Sequence, residues 1–464
     1  MGALFVYGLT YGGALLALIR PFYGLLAYIC LAVLRPDYLW AWSLPANENF
    51  SRTVGIALII GWLLQHLVRW SQNHENPWDL GPAKSIVLLL AGYWLWMLVS
   101  ALFADNQDVA WSYVSLHSKI LLPVLAGMTL VTTAQQVRQL AWTLVACLGY
   151  LAYEAHGMYY GGRLIEFRDL GMLGMDNNSI CIAMATGVGL AIFLGLSEPH
   201  LWQQLTAFLL ATLMLHVPMF GLSRGGMLGA AVVGVVTFML LPKRTNLLLV
   251  YAVGLLVAIR LAGPAVAKRF STIFVESESR DASAQGRVEL WADCWDVMLH
   301  HPLVGIGPDN WPLIAHHYGW PYGKEAHSLW FNCGAELGFV GLGLLASFYL
   351  CTIYLCWREL CRGPHVSYPS RSAGRMVIAA LSGFMVSASF VALDALEVPF
   401  YTVLIGVGAL RVAYWEREAE YQMAPLAPQP ALASRRYPTV SVAPLISRGT
   451  AGIPASATAT TVVK

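Results

Sequence analysis

The chain has 464 residues, of which 57% are hydrophobic and only 12% charged, where an average soluble domain carries about 25% charged residues. With a mean hydropathy of +0.59, 17 Trp and 21 Tyr, this composition excludes an ordinary soluble enzyme and describes a polytopic membrane protein with amphipathic aromatics for two interfaces. The formal net charge is +2 and no basic run is dense enough to neutralise a series of phosphates, so nucleic-acid binding has no footprint.

A membrane-crossing helix needs about 20 mainly apolar residues. Such stretches fall at 3–19, 22–35, 53–69, 84–103, 118–134, 138–157, 178–197, 202–221, 225–241, 245–263, 329–357, 374–397 and 399–415. They predict an all-α fold with 12–13 transmembrane helices. The count depends on residues 3–35, where Arg20-Pro21 leaves almost no loop, so that stretch is either two half-spans or one kinked segment. The first stretch lacks a basic n-region and a small-residue cleavage site and reads as retained. Of the eight cysteines, only Cys294 lies in a long polar connection, and no disulfide framework is implied.

Lys and Arg collect on alternate connections: Arg69 with Lys84, Arg138, Lys243-Arg244, the group Arg358, Arg362, Arg371 and Arg375, then Arg411 and Arg417. These connections are expected in the cytoplasm. The opposite, periplasmic set comprises 36–52, 104–117, 158–177, the turn 222–224 and one long polar loop, 264–328. The expected organisation is a transmembrane bundle over 1–263, the large loop with a surface helix over 264–328, further transmembrane helices over 329–415 and a cytoplasmic tail over 416–464. From about residue 422 the tail is rich in Pro, Ala, Ser and Thr, a composition that buries too little apolar surface to fold. No inverted repeat of the transporter kind stands out.

Most spans lack ionisable residues, so no intramembrane proton or ion relay is expected, and chemistry belongs at the outer face. In Ser223-Arg224-Gly225-Gly226, Ser223 suits a helix N-cap, and the helix that follows aims free N–H groups and its positive dipole end at the interface. Arg224 adds a fork suited to phosphate, and Gly225 and Gly226 let a ligand approach the backbone. The alternative is an arginine snorkelling to lipid headgroups, with glycines that serve helix packing.

In the long loop, Asp281-Ala-Ser-Ala-Gln-Gly-Arg287 precedes a helical period over 288–299. Arg287 is a second phosphate candidate, or else a solvated partner of Asp281 or Glu289. The segment 301–310, punctuated by glycine and proline, is of the type that brings backbone near a ligand. His327 stands where the loop re-enters the membrane, ahead of a long helix containing Glu336. Its imidazole is suited to take a proton from a hydroxyl near neutral pH, or simply to hydrogen-bond at the interface. The pairs His300-His301 and His316-His317 lack a completing Cys or carboxylate at a recognised spacing, so no metal site is expected. In 158–177, Arg163, Arg168 and Asp176-Asn177-Asn178 add polar groups beside a helix start, where Asp176 or Asn177 also suits a cap.

The order of these pieces, Ser-Arg-Gly-Gly at a helix start, then GRVELW, HPLVGIGPDNW and AHSLWFNCGAELGFVG in one large loop, resembles the bacterial O-antigen ligase and polymerase superfamily. The Asp-Asn-Asn at 176–178, the opening pair split by Arg-Pro, and DASAQGR are similar to its branch of O-glycosylation ligases found beside exosortases. The resemblance implies a fold like the C-type glycosyltransferases. It also implies an enzyme of the bacterial inner membrane that works at the periplasmic face without metal or other cofactor. Such an enzyme moves a glycan from a polyprenyl (undecaprenyl) diphosphate carrier to a lipid, polysaccharide or protein acceptor. Carried onto this chain, Arg224 and Arg287 become diphosphate binders and His327 the catalytic residue, with Ser223, Gly225, Asp281, Glu336, Arg163 and Asn177 in support. A polymerase or protein O-oligosaccharyltransferase uses the same chemistry. A flippase for lipid-linked glycans is the alternative of another class, and would place charges within the spans.

Overall fold

The computed structural model describes residues 2–45, 48–71, 79–271, 282–363, 365–393 and 396–423. The chain divides into two units, Met1–Ala419 and Glu420–Lys464. The tail expected from 422 lies, beyond Met423, outside the described residues, as does Asp281. The helices in chain order are α1 (Gly2–Ile19), α2 (Pro21–Leu34), α3 (Pro36–Leu39), α4 (Phe50–Ser71), α5 (Lys84–Leu102), α6 (Gln107–Leu130), α7 (Ala134–Tyr160), α8 (Leu164–Leu170), α9 (Asn177–Ser197), α10 (Leu201–Phe220), α11 (Arg224–Leu240), α12 (Thr245–Ser271), α13 (Ala282–His300), α14 (Trp311–Ile314), α15 (Leu329–Leu355), α16 (Tyr368–Ser387) and α17 (Val398–Met423).

The protein is an all-α polytopic membrane protein. Among the described residues nine helices are long and apolar enough to cross a membrane, while Pro21–Leu34, Arg224–Leu240 and Thr245–Val257 are apolar but shorter. Each of the thirteen expected spans falls on a helix. The opening pair is a hairpin of two separate helices, packed so tightly that a Cβ on Gly24 would lie 2.3 Å from Cβ of Ala17. Several boundaries differ from expectation, among them those of α16, which runs over Tyr368–Ser387 where 374–397 was expected. Helix α6 starts at Gln107 rather than 118, because Asn106 caps it by accepting a hydrogen bond from the Val109 amide at 3.2 Å. Helix α12 runs on to Ser271, past residue 263, and α17 runs past 415 to Met423.

Helix ends that carry the expected cytoplasmic arginines gather together. Arg138 Nε donates to Glu198 at 2.7 Å, Arg417 to Glu359 at 3.0 Å, and the buried Arg411 to the carbonyls of Met128 and Val131, both at 3.0 Å. The opposite ends meet through Asn106 and Asn310, Arg168 and Phe220, and Ser223 and Asn178.

A break in α15 fixes the long connection. Gly338 has φ +68 and ψ −176 inside the helix, a conformation open only to glycine. The carbonyls that lose their helical partners there are taken up from outside. Ile306 N donates to Ala335 O at 3.1 Å, Gly307 N to Glu336 O at 3.0 Å, and Trp96 Nε1 to Leu337 O at 2.9 Å. Phe339 N in turn donates to Pro302 O at 2.9 Å. A Cβ on Gly305 would lie 2.3 Å from the Glu336 backbone, and one on Gly338 would lie 2.1 Å from Leu303 O. The glycines of 301–310, expected to approach a ligand, are thus spent on locking this segment into the notch of α15.

Candidate functional site

Five polar residues from four parts of the chain line one cavity of about 380 Å³ at the end where Ser223 meets Asn178: Arg168, Asn177, Asn178, Arg224 and Arg287, with Gly221, Leu222, Gly225, Phe390 and Val391 completing its walls. The start of α11 forms its floor. Ser223 is 1% exposed. Its hydroxyl donates to Asn178 Oδ1 at 2.8 Å and accepts from the Gly226 amide at 3.2 Å, so one side chain both caps the helix and ties it to α9. Such a cap stabilises a helix by about 1 kcal/mol. Residue for residue, the two glycines after Arg224 differ. A Cβ on Gly226 would lie 2.7 Å from Cβ of Cys181, whereas one on Gly225 would meet nothing nearer than Phe390 Cβ at 3.4 Å. Gly226 therefore serves helix packing, while Gly225 lines the cavity.

The wall from α8 and α9 closes on the end of α10. Arg168 donates from Nε and Nη2 to Phe220 O at 2.9 and 2.6 Å, and Asn177 Nδ2 donates to Gly221 O at 2.8 Å, so both satisfy carbonyls left over at a helix C-terminus. Asp176 caps α9, accepting from the Ser179 and Asn178 amides. Arg163 stands exposed at the start of α8, away from the cavity lining.

Arg287 reaches the cavity because of the face it occupies. Leu290, Cys294, Val297 and Met298 of α13 are buried in a small core with Ile306, Trp311 and Ala335, a spacing of three and four that puts Arg287 in line with them. Trp291 on the same face donates to Ala326 O at 3.1 Å and stacks on Phe331 at 5.4 Å. Trp320 and Tyr318 hold the outer side through Asp293 and Asp296, at 2.7 and 3.2 Å. Gln285 donates to Glu289 at 3.0 Å.

His327 precedes Ser328, which caps α15. Its backbone has φ +50, a left-handed conformation that costs a non-glycine residue on the order of 1–3 kcal/mol and recurs at functional sites. Lys324 Nζ lies 3.2 Å from Nε2. Loss of hydration first, then the positive charges of Lys324 and Arg287, push the imidazole down to about 4, against the pull of Asp176. The same field links Glu325, raised by loss of hydration and by Asp176 and Asp309. So Arg287, His327, Lys324 and Asp176 share one electrostatic neighbourhood, and the imidazole is neutral at pH 7. Glu336 does not line the cavity. It is 2% exposed, accepting from Trp311 N at 3.3 Å and Asn332 Nδ2 at 3.2 Å, and so tethers the loop.

A family model described as O-antigen ligase matches residues 208–346. The chain carries an O-antigen ligase domain. This domain supplies Arg224, Arg287, Lys324 and His327, while Arg168, Asn177, Asn178, Phe390 and Val391 come from outside it. A second model, a family of unknown function (DUF5935), matches residues 1–159. A search of curated proteins finds no match.

Of the polar groups that the sequence offers in 158–178, Arg168, Asn177 and Asn178 line the cavity, and Lys324 joins the site beside His327. The sequence named Arg168 and Asn178 among the polar groups of 158–178 without setting them apart from Arg163. Lys324 had no signal beyond its place three residues before His327.

Proposed function

We propose that the protein is a membrane glycosyltransferase that moves a glycan from a polyprenyl diphosphate carrier to an acceptor hydroxyl at the periplasmic face of the bacterial inner membrane. The observation that carries this reading is the meeting of Arg168, Arg224 and Arg287 in one cavity at the N-terminus of α11, with the neutral His327 in the field of Arg287. Guanidinium groups and a helix N-terminus stabilise the charge that grows on the diphosphate as the sugar C1–O bond breaks. The acceptor oxygen attacks C1 from the opposite face, its proton passes to His327, and polyprenyl diphosphate departs. The anomeric configuration inverts. Arg224 and Arg287 act as the diphosphate binders, Arg168 and Asn177 shape the wall, and Ser223 and Gly225 present the helix end.

The diphosphate itself adjusts the base. Its negative charges oppose those of Lys324 and Arg287, which lifts the imidazole toward its ordinary range when donor is bound and makes it a better proton acceptor. An O-antigen polymerase or a protein O-oligosaccharyltransferase differs from a ligase only in the acceptor hydroxyl presented to the same groups. A flippase reading is disfavoured because the cationic groups sit at one end of the helices rather than along a central path.

The test is transfer in proteoliposomes from a synthetic polyprenyl-diphosphate glycan, with and without EDTA, followed by NMR of the product linkage. Transfer that persists in EDTA and gives an inverted linkage supports the mechanism. Loss in EDTA that one divalent ion restores, or retained configuration, overturns it.

A further inference from the structure

A second and larger cavity, of about 550 Å³, opens on another face of α9, between α2, α4 and α6. It lies mostly within residues 1–159 and shares no lining residue with the cavity at α11. Its lining is largely apolar, with Ile56, Ile60, Leu122 and Met184 in it, and its bases are Arg35, Arg52 and Lys119.

Lys119 stands at the start of the apolar run of the helix Gln107–Leu130 and is exposed beside the cavity it lines. Its placement is built. Pro123 has no amide to offer the carbonyl four residues earlier, which is that of Lys119. The Tyr28 hydroxyl donates to this carbonyl instead, at 2.6 Å, and so holds the turn that bears Lys119. Arg35 is held at the rim by its place as the left-handed cap of α2, with φ 44, and lies over the Tyr38 ring at 4.5 Å. Asp37, Glu48 and Glu397 also border the cavity. Even so, no ion pair among the described residues joins Arg35, Arg52 or Lys119 to a carboxylate. Tyr401 donates to the Glu397 carboxylate and so engages it away from the bases.

We infer that this cavity binds a phosphate-headed, long-chain membrane lipid, its phosphate between Lys119 and Arg52 and its chain along Ile56, Ile60 and Leu122. Three bases beside branched aliphatic side chains match an anionic head on an apolar tail, and a zwitterionic lipid, whose own cation offsets its phosphate, gains less from them. The site is separate from the diphosphate cavity, and it is read without turnover, so its fate is independent of the transfer reading.

The experiment is native mass spectrometry of the full chain released from phosphatidylcholine nanodiscs and titrated with dioleoyl phosphatidic acid. The wild type is expected to retain phosphatidic acid at least tenfold better than phosphatidylcholine. Lys119→Gln with Arg52→Gln abolishes that preference, Lys119→Arg keeps it, and Ile60→Trp, which fills the groove and leaves the bases in place, also expels the lipid. Equal retention of the two lipids by the wild type overturns the inference. So does a preference unchanged in the double variant and in Ile60→Trp, and so does a preference lost only with Arg224→Gln and Arg287→Gln, which locates the anion at α11.

Discussion

The ammonium of Lys324 lies 3.2 Å from Nε2 of His327, so a cation occupies the nitrogen that a proton acceptor needs free. Together with burial and Arg287 it holds the imidazole down to about 4. For this depressed base the neutral form is complete well above pH 4 and is lost as pH falls through that value. The acid limb of kcat/KM for transfer is therefore expected near 4 rather than near 6.5, the unperturbed value. Lys324→Ala removes one of the depressing charges and moves that limb to higher pH, toward the ordinary histidine range. A pH profile of kcat/KM for transfer, taken at donor concentrations well below KM, checks both, and a limb that stays in place in the variant contradicts the role given to Lys324.

Gly338→Ala is expected to be among the most damaging single changes in the chain. The left-handed backbone alone costs about 1–3 kcal/mol for alanine, and the added Cβ would lie 2.1 Å from Leu303 O. Because this notch anchors the segment that leads to Lys324 and His327, loss of thermal stability and loss of transfer should appear together. Thermal unfolding of purified protein in detergent measures the first, and an unchanged midpoint would refute the interlock.

The two glycines after Arg224 separate packing from binding. Gly226→Ala forces its Cβ within 2.7 Å of Cys181 Cβ, whereas Gly225→Ala meets Phe390 only at 3.4 Å. The first is expected to lower stability by on the order of 1–3 kcal/mol, as overpacking does. The second is expected to keep the melting point and raise KM for the lipid-diphosphate donor several-fold, because it adds a methyl to the cavity wall.

Arg168 and Arg163 are five positions apart, yet only Arg168 lines the cavity and holds Phe220 O. Arg168→Ala is expected to cut transfer roughly ten- to hundredfold, a loss of about 1.4–2.8 kcal/mol. Arg163→Ala leaves transfer near the wild-type rate. Equal losses in the two variants would remove Arg168 from the site.

Much of the fold was legible because lipid imposes length and polarity on every crossing, so that apolar runs alone located thirteen helices. Ser223 was legible as a cap because capping is local chemistry. The break at Gly338 was not, since its cause is the distant backbone of 302–307, and a glycine within an apolar helix carries no mark of the conformation it adopts. Nor did the sequence distinguish Arg163, which stands exposed just before α8, from Arg168, which lies within the helix on the side that meets Phe220. Glu336 stood out as an acid in an apolar helix, but its partners, Trp311 N and Asn332, identify a tether.

The most direct test measures donor binding and glycan transfer in the same proteoliposomes for Arg224→Ala, Arg287→Ala and His327→Ala. The account predicts that the two arginine variants lose at least tenfold in affinity for the polyprenyl-diphosphate glycan, and transfer with it. His327→Ala is predicted to bind donor as the wild type does and to transfer at least a hundredfold more slowly. Wild-type transfer in all three variants, at normal accumulation in the membrane, would contradict the account.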